Sequence, residues 1–427
     1  MPGTVAIVNI GQLVTLAGPP RPRVAGELRE LGLIPDAALL VKNGRIEAAG
    51  TYAELRSRIP KQTTVVDAEG RCVTPGFVDA HTHLVFAGNR AAEFEQRIAG
   101  ATYQQIAADG GGILRTVALT RAASEEDLLA AARRHRNWML RSGTTTIEAK
   151  SGYGLDRETE LRMLRVLARL DAEGPAHIVP TLLAAHTVPP EFAARRAEYV
   201  HWIAEELIPE VAAAGLARFC DVFCDDHAFT LDETRTVLSA ARRHGLRLRV
   251  HAEQFRPATG AALAAELGAA TADHLETVTD DTLRQLRTAG VQPVLLPGSV
   301  FALGRTNYPP ARAMVEHGLA TVLATDFNPG SSPVSSLPFI LSLACLQMRL
   351  SPAEALTAAT INAAWSLDLG NHVGSLEAGK QADFLIHEFG DYRELAYFIA
   401  APARPRVFIG GREAKLQGGN SASRRAL

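Results

Sequence analysis

"TPGFVDAHTHLVFAG", residues 74–88, decides how this chain is read. It has the apolar run of a buried strand, with Phe77, Val78, Ala80, Leu84, Val85 and Phe86, yet it also carries Asp79, His81 and His83. Successive side chains of a strand point to opposite faces, so His81 and His83 project to one side, their Cα atoms ~7 Å apart. Two imidazoles at that spacing can converge on one metal ion. Taken alone, the pair is equally explained as ordinary polar residues at a strand end.

On the N-terminal side of this stretch the sequence is β-rich. "ALLVKNGRIEAAG" (38–50) alternates around Asn43-Gly44, the dipeptide of a tight type I′ hairpin. On the C-terminal side, short apolar runs alternate with long Ala/Leu/Arg segments. Those segments predict helices over 124–141, 157–171, 200–214, 231–244 and 258–268. Regular strand–helix alternation implies parallel strands joined by helical crossovers. About eight such units fit before the pattern ends, which predicts an α/β fold with a (β/α)8 TIM-like barrel. A doubly wound sheet is the alternative, weakened because no GxGxxG follows a first strand. After residue 372 short β runs return, in "VGSLEAGKQADFLIHEF" and "RPRVFIGGRE". The expected organisation is a small β-sandwich domain built from both chain ends, 1–75 and 373–415, around a barrel over 76–372, with a disordered tail over 416–427.

Other predicted strands also end on polar residues. "VHAEQF" ends an apolar run on His251, "TADHLE" ends the next on His274, and "LATDFNPGSS" places Asp326 at a late one. In a barrel these ends share the C-terminal face, where active sites lie. Imidazoles with a carboxylate suit zinc or ferrous iron better than magnesium or calcium. Each residue has an ordinary structural explanation by itself, such as a helix cap for Asp326. Several of them ending different strands of one barrel are harder to explain that way.

These motifs resemble the amidohydrolase superfamily. "PGFVDAHTH" is similar to its first-strand signature, "HAEQ", "DHLE" and "ATDFNPG" follow in the family's order, and "GSLEAGKQADFLI" closes a similar split β domain. The resemblance implies one divalent metal ion, zinc or iron, held by His81, His83, His251 and Asp326. It implies that His274 sits beside the metal-bound water as an acid–base or orienting group. Asp326 would serve both as ligand and as proton carrier.

Finer motifs, "FAGNR", "GGGI", "EAKSGYGL", "AAHTVPPE" and "ATDFNPGSSP", resemble one branch of that family, hydrolases of histidine degradation. That likeness implies opening of the lactam ring of 4-imidazolone-5-propanoate to give N-formimidoyl-L-glutamate. Arg90 would anchor the propionate tail, since a guanidinium grips a carboxylate bidentately. Tyr153 and Tyr103 would reach the same end. His186, Gln254, Asn328, Gly330 and Ser331 would complete the substrate contacts. One position departs from the branch: many members carry glutamate where this chain has Gln254. An amide can donate and accept hydrogen bonds but cannot act as a general base.

Two other readings compete. Another amidohydrolase, such as a deaminase of a cyclic amidine or a dihydroorotase-like amidase, would share the metal set. Arg90, Tyr153 and the "NPGSS" loop favour a small substrate with a carboxylate tail instead. A metal-free scaffold on the same fold would be expected to lose its ligands, and all four are present. Lys150 invites a carbamylated, two-metal site, but its place in "EAKSGYG" is too early for that pattern, and an ion pair with an acid is expected. The composition sets the remaining limits. With a net charge of −2 and no long basic run, neither nucleic acid nor an anionic membrane is an expected partner. Four cysteines in 427 residues are too few for a disulfide framework. No signal-like start and no long apolar run are apparent, so a cytoplasmic protein is expected. The family likeness suggests a homodimer.

Overall fold

The computed structural model describes residues 3–101, 105, 110–225, 228–257, 259–401 and 404–414. Tyr103 and the tail over 416–427 lie outside the described residues. The N-terminal strands are β1 (Thr4–Val14), β2 (Leu33–Lys42), β3 (Arg45–Thr51), β4 (Thr64–Asp67) and β5 (Cys72–Pro75). The β2–β3 hairpin turns where the sequence predicts. Asn43 and Gly44 both have positive φ, 53° and 78°, and Lys42 faces Arg45 in register. That is the backbone a two-residue hairpin with right-twisted strands requires.

The barrel follows: β6 (Phe77–Asp79), β7 (Thr144–Lys150), β8 (His177–Ala185), β9 (Phe219–Cys224), β10 (Arg247–Ala252), β11 (Thr271–His274), β12 (Gln292–Leu295) and β13 (Val322–Leu323). Each strand pairs in parallel with the next, from β6 round to β13. The ring closes through the segments beyond β6 and β13. Thr325 donates to Asp79 from its amide (3.1 Å) and its hydroxyl (2.7 Å). The Asp326 amide donates to the His81 carbonyl (3.0 Å), and the His83 amide to the Phe327 carbonyl (2.8 Å). The closing seam is therefore made by "DAHTH" and "TDFN".

Chain-end strands then complete the first sheet. β14 (Phe384–Ile386) pairs antiparallel with β5, β15 (Arg406–Ile409) with β14, and β16 (Arg412–Glu413) with β15. Eight strands from both ends of the chain thus form one mixed sheet. It buries Ile7, Ile10, Leu13, Leu39, Val41, Phe384 and Phe408 in an apolar core.

The crossover helices start where side chains can hold their free amides. Ser124 caps Glu125–Arg141 and Asp156 caps Arg157–Glu173. Thr230 and Glu233 cap Leu231–Arg243 reciprocally. The expected helix over 200–214 is different. It runs from Arg196, but widens into a π turn at Ile203–Leu207 before Ile208–Ala213. Pro209 has no amide hydrogen to continue the regular ladder, which accounts for the break. Among the described residues no helix is long and apolar enough to cross a membrane.

Candidate active site

Four strand ends bring the histidines and Asp326 together at one mouth of the barrel. His81 and His83 follow β6, His251 lies in β10, His274 ends β11, and Asp326 follows β13. All five are buried. The His81 ring centroid lies 4.5 Å from that of His251, 5.5 Å from His83 and 5.8 Å from His274. Asp326 Oδ1 lies 3.6 Å from His81 Nε2 and 3.5 Å from His83 Nε2. His274 and Asp326 both have positive φ, 80° and 52°, which turns each side chain away from plain strand alternation. Non-glycine residues rarely adopt that backbone, and it tends to occur at functional sites.

Do these donors fit a divalent ion? Two ligand atoms at about 2.1 Å from a tetrahedral ion lie ~3.4 Å apart. The spacings of 3.5 and 3.6 Å around Asp326 Oδ1 match that value. His81 Nε2, His83 Nδ1 and His251 Nε2 are buried without a hydrogen-bond partner. Unpaired buried nitrogens are costly unless something occupies them. Two sets of potential ligand atoms lie close enough to share an ion, His81 with His83 and Asp326, and His81 with His251 and His274. His81 belongs to both. The residue set therefore fits a metal, and His274 lies within ligand reach as well.

Electrostatics separates the histidines into two kinds. Burial drives His81 well below the usual imidazole range, and drives His83 down to about 4 despite the contact with Asp326. Both are thereby kept in the neutral form that ligates metals. His274 goes the other way. Burial would lower it, but the neighbouring Glu276 carboxylate raises it, with His274 Nδ1 3.4 Å from Glu276 Oε1. Asp326 would be raised by burial, yet His83 and the other imidazoles hold it below its usual value.

Arg90 lies at the other end of the site. Its Nε donates to Thr116 Oγ1 (3.1 Å), and its charge lies close enough to the buried Tyr153 hydroxyl to favour the ionised form against burial. The Tyr153 ring is 5.8 Å from His83 and 5.4 Å from His186. His186 stacks on His83 at 5.0 Å, with its Nδ1 held by the Gly152 carbonyl. Gly330 lets Arg90 lie against its backbone: a Cβ there would fall 2.5 Å from three guanidinium atoms and would displace them. Asn328 organises this loop. Its Oδ1 accepts from the amides of Gly330 and Ser331 (both 2.8 Å), and its Nδ2 donates to the Asp326 carbonyl (2.7 Å) and to Ser331 Oγ (2.9 Å). Gln254 lines a neighbouring cleft of about 390 Å³ with Phe255, Glu276 and Arg305. Glu253 takes no part, since its positive φ turns its carboxylate to the Ala261 amide.

Sequence reasoning missed the carboxylates behind the histidines. Asp273 Oδ2 is 2.6 Å from His81 Nδ1, and Asp221 Oδ2 is 3.0 Å from His251 Nδ1. A signal was present: charged residues recur inside apolar runs, in "CDVFC", "RLRVHA" and "TADH". Pairing each with its histidine needed the barrel.

Comparison with known proteins places the chain. Residues 72–414 match the amidohydrolase family. The imidazolonepropionase of Solibacter usitatus is 55% identical over 95% of this chain and 97% of its own length. That of Symbiobacterium thermophilum is 46% identical over 96% and 97%. Among solved structures, 5-methylcytosine deaminase from Klebsiella pneumoniae matches with a TM-score of 0.72 at 18% identity, covering 96% of this chain and 98% of that one. At that identity the likeness speaks for the fold alone. The chain belongs to the amidohydrolase family, and within it to the imidazolonepropionases.

Proposed function

We propose that this protein is a metal-dependent hydrolase that opens the lactam ring of 4-imidazolone-5-propanoate, yielding N-formimidoyl-L-glutamate in histidine degradation. The observation that carries the reading is the pair of ligand groups that share His81, one with His83 and Asp326 and one with His251 and His274, in which His81 Nε2 and His251 Nε2 are buried and unpartnered. The relatives named above supply the choice of substrate.

One divalent ion, zinc or iron, held by His81, His83, His251 and Asp326, would acidify a water and polarise the lactam carbonyl. The residues of the chain do the rest. Asp326 accepts the water's proton as the new C–O bond forms, and returns it to the ring nitrogen as the C–N bond breaks. His274, held by Glu276, orients the attacking group or shares that proton. Arg90 receives the propionate, with the Tyr153 hydroxyl beside it. His186 faces the ring from its stacked position on His83. Gln254 contributes hydrogen bonds to the ring, and the Asn328–Ser331 loop shapes the tail pocket with the flat face of Gly330. The same reading carries a cytoplasmic location, a homodimer and a small-molecule substrate as the sole partner.

The test is the ultraviolet loss of freshly made 4-imidazolone-5-propanoate, with and without chelator pretreatment. Rapid loss that the chelator stops, with formimidoylglutamate as product, is expected. A folded, metal-loaded protein that leaves the substrate intact would overturn the assignment and turn attention to cyclic amidines.

A further inference from the structure

Ion pairs fill the barrel beneath the histidines. Lys150, at the end of β7, is fully buried, with Nζ 2.8 Å from Glu148 Oε1 and 2.9 Å from Asp221 Oδ2. The same Asp221 oxygen lies 3.0 Å from His251 Nδ1. Arg249 is also fully buried, two residues before His251 on β10. Its Nη2 lies 3.2 Å from Asp273 Oδ2, the oxygen that is 2.6 Å from His81 Nδ1. That Nη2 also donates to the Ala80 carbonyl (2.7 Å), next to His81. Glu148 completes the set, since its Oε2 accepts from the amide of Thr82, between the two histidines of "HTH".

The barrel thus sets out one sequence twice, a cation, then a carboxylate, then an imidazole whose Nε2 is buried and unpartnered; the His81 copy is joined by hydrogen bonds, the His251 copy by ion-pair contacts of 2.9 and 3.0 Å. Lysine and arginine are almost never fully buried unless paired. A buried ion pair is often no more stabilising than apolar residues of the same volume. Two such pairs side by side are poorly explained as stability alone. Groups behind a ligating histidine set its tautomer and ring orientation.

We propose that Lys150 and Arg249 are positioning residues: they fix Asp221 and Asp273, and through these carboxylates they aim His251 and His81 at a shared metal ion. The inference rests on the metal site argued above. It extends that site from the ligands to the two cations beneath them.

Metal binding by the full-length protein, stripped and reloaded, tests it without using the reaction. Zinc affinity is read by chelator competition, ligand geometry by the visible spectrum of the cobalt-substituted protein, and folding by circular dichroism of the metal-free form. Lys150→Met and Arg249→Met should each weaken zinc binding by ~10–100-fold and alter the cobalt spectrum while remaining folded. The double variant Lys150→Met/Glu148→Gln removes one charge of each sign. It protects against a folding failure caused by an unbalanced buried charge, and it should lose affinity likewise. Folded variants with wild-type affinity and an unchanged spectrum would overturn the inference. Failure of all three to fold would overturn it too, by assigning the pairs to barrel stability. Wild-type protein that takes up no stoichiometric metal would instead refute the metal site itself.

Discussion

The end sheet and the mouth of the barrel are equally buried but filled with opposite chemistry. In the sheet, Ile7, Leu39, Val41, Phe384 and Phe408 pack on one another, and Phe384 stacks on Phe408 at 4.5 Å. In the barrel, His81 and His251 at the mouth and Lys150, Arg249, Asp221 and Asp273 beneath them fill the interior. Apolar burial stabilises in proportion to area and demands little orientation. Buried charges must each meet a partner at a fixed distance, and desolvating them opposes folding. The sheet therefore contributes stability, and the mouth contributes directed lone pairs. A fold departs from the rule of apolar interiors where its chemistry needs it to.

That contrast can be broken at several points. His251→Ala should have the largest effect, removing turnover and bound metal together. Metal analysis and the ultraviolet assay on the same preparation check it, and normal turnover would remove the metal site from consideration. Arg90→Ala comes next. Losing a charge-assisted bond of about 1.5–3 kcal/mol should raise KM by ~10–150-fold. Steady-state kinetics should find kcat changed far less, and a purely kcat effect would move Arg90 from tail binding to the chemistry. Phe384→Ala sharpens the comparison from the other side. It should cost about 3–5 kcal/mol in denaturant unfolding, as aromatic truncations in cores do. Zinc affinity and kcat of the folded protein should not change. A joint loss would mean that the two interiors are not separable.

Several features were legible because they depend on local geometry. Strand periodicity points His81 and His83 the same way, although the strand itself ends at Asp79 and both histidines stand just beyond it. Asn43-Gly44 specifies its hairpin, and the helices expected from 124, 157 and 231 begin at Glu125, Arg157 and Leu231. The helix over 200–214 departs from the regular ladder its periodicity predicts, because periodicity does not register the amide hydrogen that Pro209 lacks.

The sequence by itself determined the strand–helix order, the approximate strand ends and the residue types standing there. Those follow from backbone geometry and side-chain patterning within a few residues. Only the tertiary structure decided which group serves which. Asp273 is next to His274 in sequence, yet it holds His81, 192 residues away. Arg90 lies flat on Gly330, and Asp326 closes the barrel against the strand that carries His81. Such pairings depend on strand register around a closed ring, and on backbone turns at His274 and Asp326 that run against local preference. No short stretch of sequence contains that information, because the partners meet only once all eight strands are in place.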